Sequence, residues 1–117
     1  MTKQELNQEI ISQAYQMGTY NRKNQLMEEM AELTQALCKH NRLICGDTTL
    51  RLNEDDYKHK QIEIKQSITE EIADVEICLQ QIKVLLEIDG QRVENIKEYK
   101  VNRTKGLLNQ NQGNKAV

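Results

Sequence analysis

The sequence predicts an all-α fold, a bundle of about four helices, on three observations. Apolar residues recur every three or four positions through long stretches, as in Leu26, Met30, Leu33 and Leu37, or Ile68, Ile72, Val75 and Leu79. Proline, phenylalanine and tryptophan are absent and five glycines punctuate 117 residues, so helices meet few breakers. Aromatic residues make up 3% of the chain, too few for the usual half-buried faces of strands. A chain of this length fits one domain with a modest core, expected here over residues 1–108.

The elements follow in order. A first helix is expected from Lys3 to Met17, with Leu6, Ile10, Ile11 and Ala14 on one side and Gly18 as its stop. A second runs from about Asn21 to Leu43. Residues 44–60 break the pattern with Gly46, Asp47, Thr48 and Thr49 and read as a loop or an insertion, within whose second half a long third helix starts. That start falls near Asn53 to Asp56, where an Asx cap and early acids favour it, and the helix continues to about Ile88. After a turn at Asp89 and Gly90, a fourth helix is predicted from Gln91 to Lys105, with Val93, Ile96 and Tyr99 inward and Gly106 as its end. Residues 109–117 form a polar, flexible tail.

Charge and cysteine usage narrow the function classes. Sixteen Lys and Arg against eighteen Asp and Glu leave a net charge of −2, no field to attract nucleic acid. Cys38, Cys45 and Cys78 are odd in number and form no CxxC, as expected of reduced thiols in a cytoplasmic protein. The N-terminus has no apolar leader core, and no run approaches the ~18 apolar residues of a membrane span, so neither secretion nor a membrane is expected.

The most informative feature is a repeat of acids. Residues 26–37 read LMEEMAELTQAL and residues 68–79 read ITEEIADVEICL. At ~100° per residue, Glu29 lies roughly 60° and Glu32 roughly 120° from Leu26, and Glu71 and Asp74 have the same offsets from Ile68. Glu28 and Glu70 point away from the apolar seams and read as solvated. One ExxE is explained by surface ion pairing; two in the same phase on two seams are not. Antiparallel packing of the two helices brings Glu29, Glu32, Glu71 and Asp74 into one cleft, where four anions repel unless cations join them. Hard oxygen ligands in that number suit Mg²⁺, or Mn²⁺, with positions left for water and phosphate oxygens. Zinc lacks its ligands, since the thiols are unpaired and His40 and His59 have no matching partner, and a carboxylate di-iron site needs Glu-x-x-His pairs that are absent.

The pair EEMAEL (28–33) and EEIADV (70–75) is similar to the EExxE and ExxD motifs of the MazG-like, all-α nucleoside triphosphate pyrophosphohydrolases, a resemblance that covers roughly residues 18–108. It implies that Glu29, Glu32, Glu71 and Asp74 bind the metal and are the catalytic residues. In such enzymes the metal holds the triphosphate, helps generate the attacking hydroxide, and the α,β-anhydride is split to a nucleoside monophosphate and pyrophosphate. The segment EYKVNRTKGLL (98–108) resembles a basic, amide-bearing segment that follows the acidic helices in the family, which implies Lys97, Lys100 and Arg103, with Asn102 behind them, as substrate-binding residues; a solvated basic face near a helix C-terminus is the alternative. The resemblance also implies a homodimer or homotetramer, and the apolar surface, more than one thin bundle covers, points the same way. The chain departs from the family in the longer segment between the acidic motifs and in having only tyrosines, among them Tyr20, Tyr57 and Tyr99, to stack a base. Two other functions compete: a catalytically silent helical module of the same fold with an oligomeric or regulatory role, and a coiled-coil adaptor, which leaves the repeated acids unexplained.

Overall fold

The computed structural model describes residues 1–46 and 52–115. These form four helices, α1 (Lys3–Met17), α2 (Thr19–Ile44), α3 (Glu54–Leu85) and α4 (Gly90–Lys115), with no strand among the described residues, so the fold is all-α as predicted. Contacts divide the chain into two units, residues 1–86 with α1 to α3 and a second unit that begins at Glu87 and holds α4.

Local chemistry explains the helix ends. Thr2 and Glu5 form a capping box: the Thr2 hydroxyl accepts the Glu5 N–H at 3.1 Å, and the Glu5 carboxylate accepts the Thr2 N–H at 3.4 Å. Gly18, at φ +88°, closes α1 through its N–H to the Ala14 carbonyl at 3.0 Å and starts α2 one residue later. The Asn53 side chain accepts the Asp56 N–H at 2.8 Å, and Glu54, Asp55 and Asp56 complement the positive end of α3.

The start of α3 at Glu54 falls within the expected Asn53 to Asp56, so residues 54–60 of the segment 44–60 are helical; Ile44 closes α2, and residues 47–51 lie outside the described residues. Other boundaries differ. α3 ends at Leu85 rather than Ile88, with the chain turning through Glu87 at φ +53°. α4 does not stop at Gly106 but continues to Lys115, so residues 109–115 of the expected tail are helical; residues 116–117 lie outside the described residues. Gly106 lacks the left-handed φ of a terminating glycine, and an interior glycine costs only ~1 kcal/mol, which the following Leu107, Leu108 and Gln110 tolerate.

In the first unit α2 and α3 run antiparallel: Arg22 meets Gln81, Glu29 meets Asp74, and Leu43 lines a cavity with Ile64. Their facing residues alternate in steps of three and four, through Leu26, Glu29, Leu33 and Ala36 on α2 and Ile68, Glu71, Val75 and Cys78 on α3. The expected seams shared Leu26, Leu33, Ile68 and Val75 with this set but placed Met30, Leu37, Ile72 and Leu79 inward. Those four are 50%, 46%, 43% and 41% exposed, whereas Ala36 and Cys78 are buried. Small side chains at 36 and 78 let the helices approach along a line rotated away from the bulkiest apolar stripe, and this line runs through Glu29 and Glu71.

α1 packs on this pair through buried Ile10 and Ala14. Gln81, the most deeply buried polar residue among those described, ties the three helices together. Its Nε2 donates to the Ile10 carbonyl at 3.0 Å and its Oε1 accepts from the Arg22 guanidinium at 3.2 Å. Gln80 adds a 3.3 Å bond to the Asn7 side chain.

Candidate metal centre

Four of the eight residues singled out in the sequence come together midway along α2 and α3. One carboxylate oxygen from each of Glu29, Glu71 and Asp74 lies within 4.8 Å of the other two. Glu32 adjoins them, close enough to hydrogen-bond with Glu71. Glu29 and Glu71 adjoin each other, and the outer pairing is crossed: Glu32 sits beside Glu71, and Asp74 beside Glu29. Glu29 and Glu71 are half-buried members of the helix interface, while Glu32 and Asp74 are exposed at its margin. The two glutamates are therefore more central than the flanking position predicted from the apolar pattern.

Electrostatics marks the cluster as short of positive charge. Glu71 is pushed up from an ordinary 4.5 to about 7, first by loss of water, then by hydrogen bonding with Glu29 and by the charge of Glu32. Asp74 is raised as well, by loss of water and then by the charge and hydrogen bonding of Glu29, with Glu70 adding to it. Burial likewise raises the Cys78 thiol, with Arg22 opposing and Glu29 and Asp74 reinforcing the shift. With the carboxylates ionised, Glu29 Oε2 and Glu71 Oε2 are buried and meet no donor, the hydrogen bonds among the acids forming only where a proton is shared. Such oxygens carry a desolvation cost that a cation would offset.

The donor set fits a hard divalent ion. Oxygens on opposite sides of one Mg²⁺ stand ~4.2 Å apart at ~2.1 Å per bond, so small side-chain adjustments bring the three carboxylates into one coordination sphere. The two orphaned oxygens belong to Glu29 and Glu71, with Asp74 and Glu32 at the exposed side, so an ion held here would meet the two glutamates first. None of these acids is in an ion pair with a described Lys or Arg. Glu28 and Glu70 are exposed, as their phase predicts, and Glu70 accepts from Gln66 at 3.3 Å.

One contributor escaped the sequence reading. Gln25 Nε2 donates to Glu29 Oε1 at 2.6 Å, which fixes that carboxylate and leaves Oε2 to face the cluster. Its position four residues before Glu29, on the same face, was the available signal. Lys97, Lys100, Asn102 and Arg103 belong to α4 in the second unit; all are exposed, and Lys97 is paired with Glu94 at 3.1 Å. Tyr20 and Tyr99 are exposed and Tyr57 is half-buried. No helix among the described residues is long and apolar enough to cross a membrane. Comparison with protein-family models, curated proteins and solved structures gave no match.

Proposed function

We propose that the chain is an Mg²⁺-dependent nucleoside triphosphate pyrophosphohydrolase, with Mn²⁺ as an alternative ion, cleaving a (d)NTP to the monophosphate and pyrophosphate. The observation that carries this reading is the pair of buried, unpartnered oxygens of Glu29 and Glu71, set opposite one another on two helices with Asp74 and Glu32 at the solvent side. The motif resemblance of residues 28–33 and 70–75 supports it independently of the geometry. A divalent ion at these acids would supply neutralisation of phosphoryl oxygens and acidification of a bound water. Glu29 and Glu71 hold the charge-dense end of the substrate complex in place; Gln25 fixes the orientation of Glu29. Asp74 and Glu32 face the opening through which phosphates enter. When no cation is present, a proton held by Glu71 relieves part of the repulsion in its place.

Lys97, Lys100, Asn102 and Arg103 are proposed to contact the polyphosphate, as the resemblance of residues 98–108 implies. A homodimer or homotetramer in the cytoplasm, without nucleic-acid or membrane partners, completes the reading. The half-exposed Met30, Leu37, Ile72 and Leu79 are the apolar surface that supports self-association. The deciding experiment is a panel of NTPs and dNTPs with and without Mg²⁺ or Mn²⁺, separating pyrophosphate from orthophosphate release. Metal-dependent pyrophosphate release is the expected result. No pyrophosphate from any triphosphate with either ion would leave a catalytically silent module of the same fold.

A further inference from the structure

Two turns from the acids, α2 and α3 flank a half-open cavity of about 510 Å³ whose charge is of the opposite sign. Leu43 and the buried Ile64 form its apolar floor, Ser67 offers a hydroxyl, and Lys39, Arg42 and Lys60 surround it. The acidic residue in the lining is Glu63, whose carboxylate is 3.7 Å from Lys60 Nζ. That pair is solvent-exposed, with side chains 50% and 70% accessible, so it holds Lys60 only weakly. Lys39 and Arg42 make no ion pair with a described residue. Three cations around one concavity repel each other, and one anion spanning them relieves that repulsion.

We infer that this cavity is an anion site for a phosphate-bearing small molecule, a phosphate monoester or a short polyphosphate. The volume lies in the range of small-molecule sites. Arginine presents a planar fork that matches a phosphate, the two lysines add point charges, and the Ser67 hydroxyl supplies a further donor. The apolar floor accepts the uncharged part of such a molecule. Lys39 follows Glu32 by seven residues and Ser67 precedes Glu71 by four, which places the near edge of the cavity ~6–10 Å along the helices from the acids. The phosphates have two possible sources: the distal part of a substrate anchored at the acids, or a separate effector. The anion site itself does not depend on the proposed hydrolysis.

The test is calorimetric titration of the full chain with inorganic tripolyphosphate in metal-free, low-salt buffer, with circular dichroism to confirm folding of each variant. The wild type should bind saturably, and Lys39→Ala/Arg42→Ala should weaken binding about tenfold or more. Lys23→Ala, an exposed lysine near the other end of α2, should leave the metal-free affinity unchanged. Saturable binding unaffected by the double substitution, equal loss on Lys23→Ala, or no saturable binding by the wild type overturns the inference. Repeating the titration with Mg²⁺ identifies the source: tightening in the wild type but not in Glu71→Gln supports one molecule spanning both sites, and no change supports a separate effector. Failure of the triphosphatase assay would leave the metal-free result standing, so the two readings fail separately.

Discussion

Glu71→Gln in the metal-free protein should flatten a pH dependence of stability that the wild type shows. Glu71 titrates near 7 when folded and near 4.5 when the chain is unfolded. Between those values the folded state carries a proton that the unfolded chain has released. Stability therefore falls as pH rises through this window, its slope approaching one proton for this group midway, and the contribution is complete below about 4.5 and gone above about 7. Asp74, raised as well, acts in the same direction. Thermal melts followed by circular dichroism in a chelator, at half-unit steps from pH 4.5 to 8, should show the wild-type Tm descending across the window relative to Glu71→Gln, which cannot lose that proton. Saturating Mg²⁺ should reverse the order at pH 8, because a cation replaces the proton and its binding strengthens as the carboxylates ionise. Parallel Tm profiles for the two proteins in chelator would refute the account of the cluster as a charge-frustrated site.

Asp74→Asn should lower kcat for pyrophosphate release by about a hundredfold or more while the fold persists, and the outward Glu28→Gln should change little; equal loss in both would mean the facing acids are misassigned. Gln25→Ala should weaken Mg²⁺ binding roughly tenfold, measured by calorimetry, since it releases Glu29 from the bond that orients it. Gln81→Ala removes a buried amide with bonds to α1 and α2 and should cost about 2–4 kcal/mol in urea unfolding. An unchanged midpoint there would show that α1 is not held by this residue.

How far the sequence could be read depended on the range of the interaction. Helix starts at Thr2 and Asn53 rest on contacts three residues apart, so their signals are local and visible. The kinship of Glu29 with Glu71 and of Glu32 with Asp74 was also legible, because a helical offset is fixed by counting. The line of helix contact was not. Hydrophobicity favoured Met30, Leu37, Ile72 and Leu79, whereas closeness of approach was decided by Ala36 and Cys78, and two glutamates occupy positions that a polarity pattern assigns to solvent. Gln81 was invisible for a related reason, since its partners lie 59 and 71 residues away. Gly106 misled because a glycine ends a helix only where the backbone turns left-handed.

The crossed pairing of Glu29 with Asp74 and Glu32 with Glu71 gives the cluster an approximate dyad, an axis between the helices that exchanges α2 with α3 and each acid with its counterpart. An ion on such an axis has no preferred sense, but a nucleotide, the substrate proposed above, has a head and a tail. Carboxylates that come as two exchanged pairs, Glu29 with Glu71 and Glu32 with Asp74, do little to distinguish the two ways of laying it across them. Direction must come from residues that break the exchange: Gln25, whose counterpart on α3 is Ser67, and Arg22, bound to Gln81, whose counterpart is Ile64. One end of the pair is closed by α1 and the other opens onto Lys39 and Lys60. Under the proposed hydrolysis, polarity would thus be set outside the metal ligands, and exchanging Gln25 with Ser67, which moves the orienting amide from the Glu29 side to the Glu71 side, would alter which bond is cut.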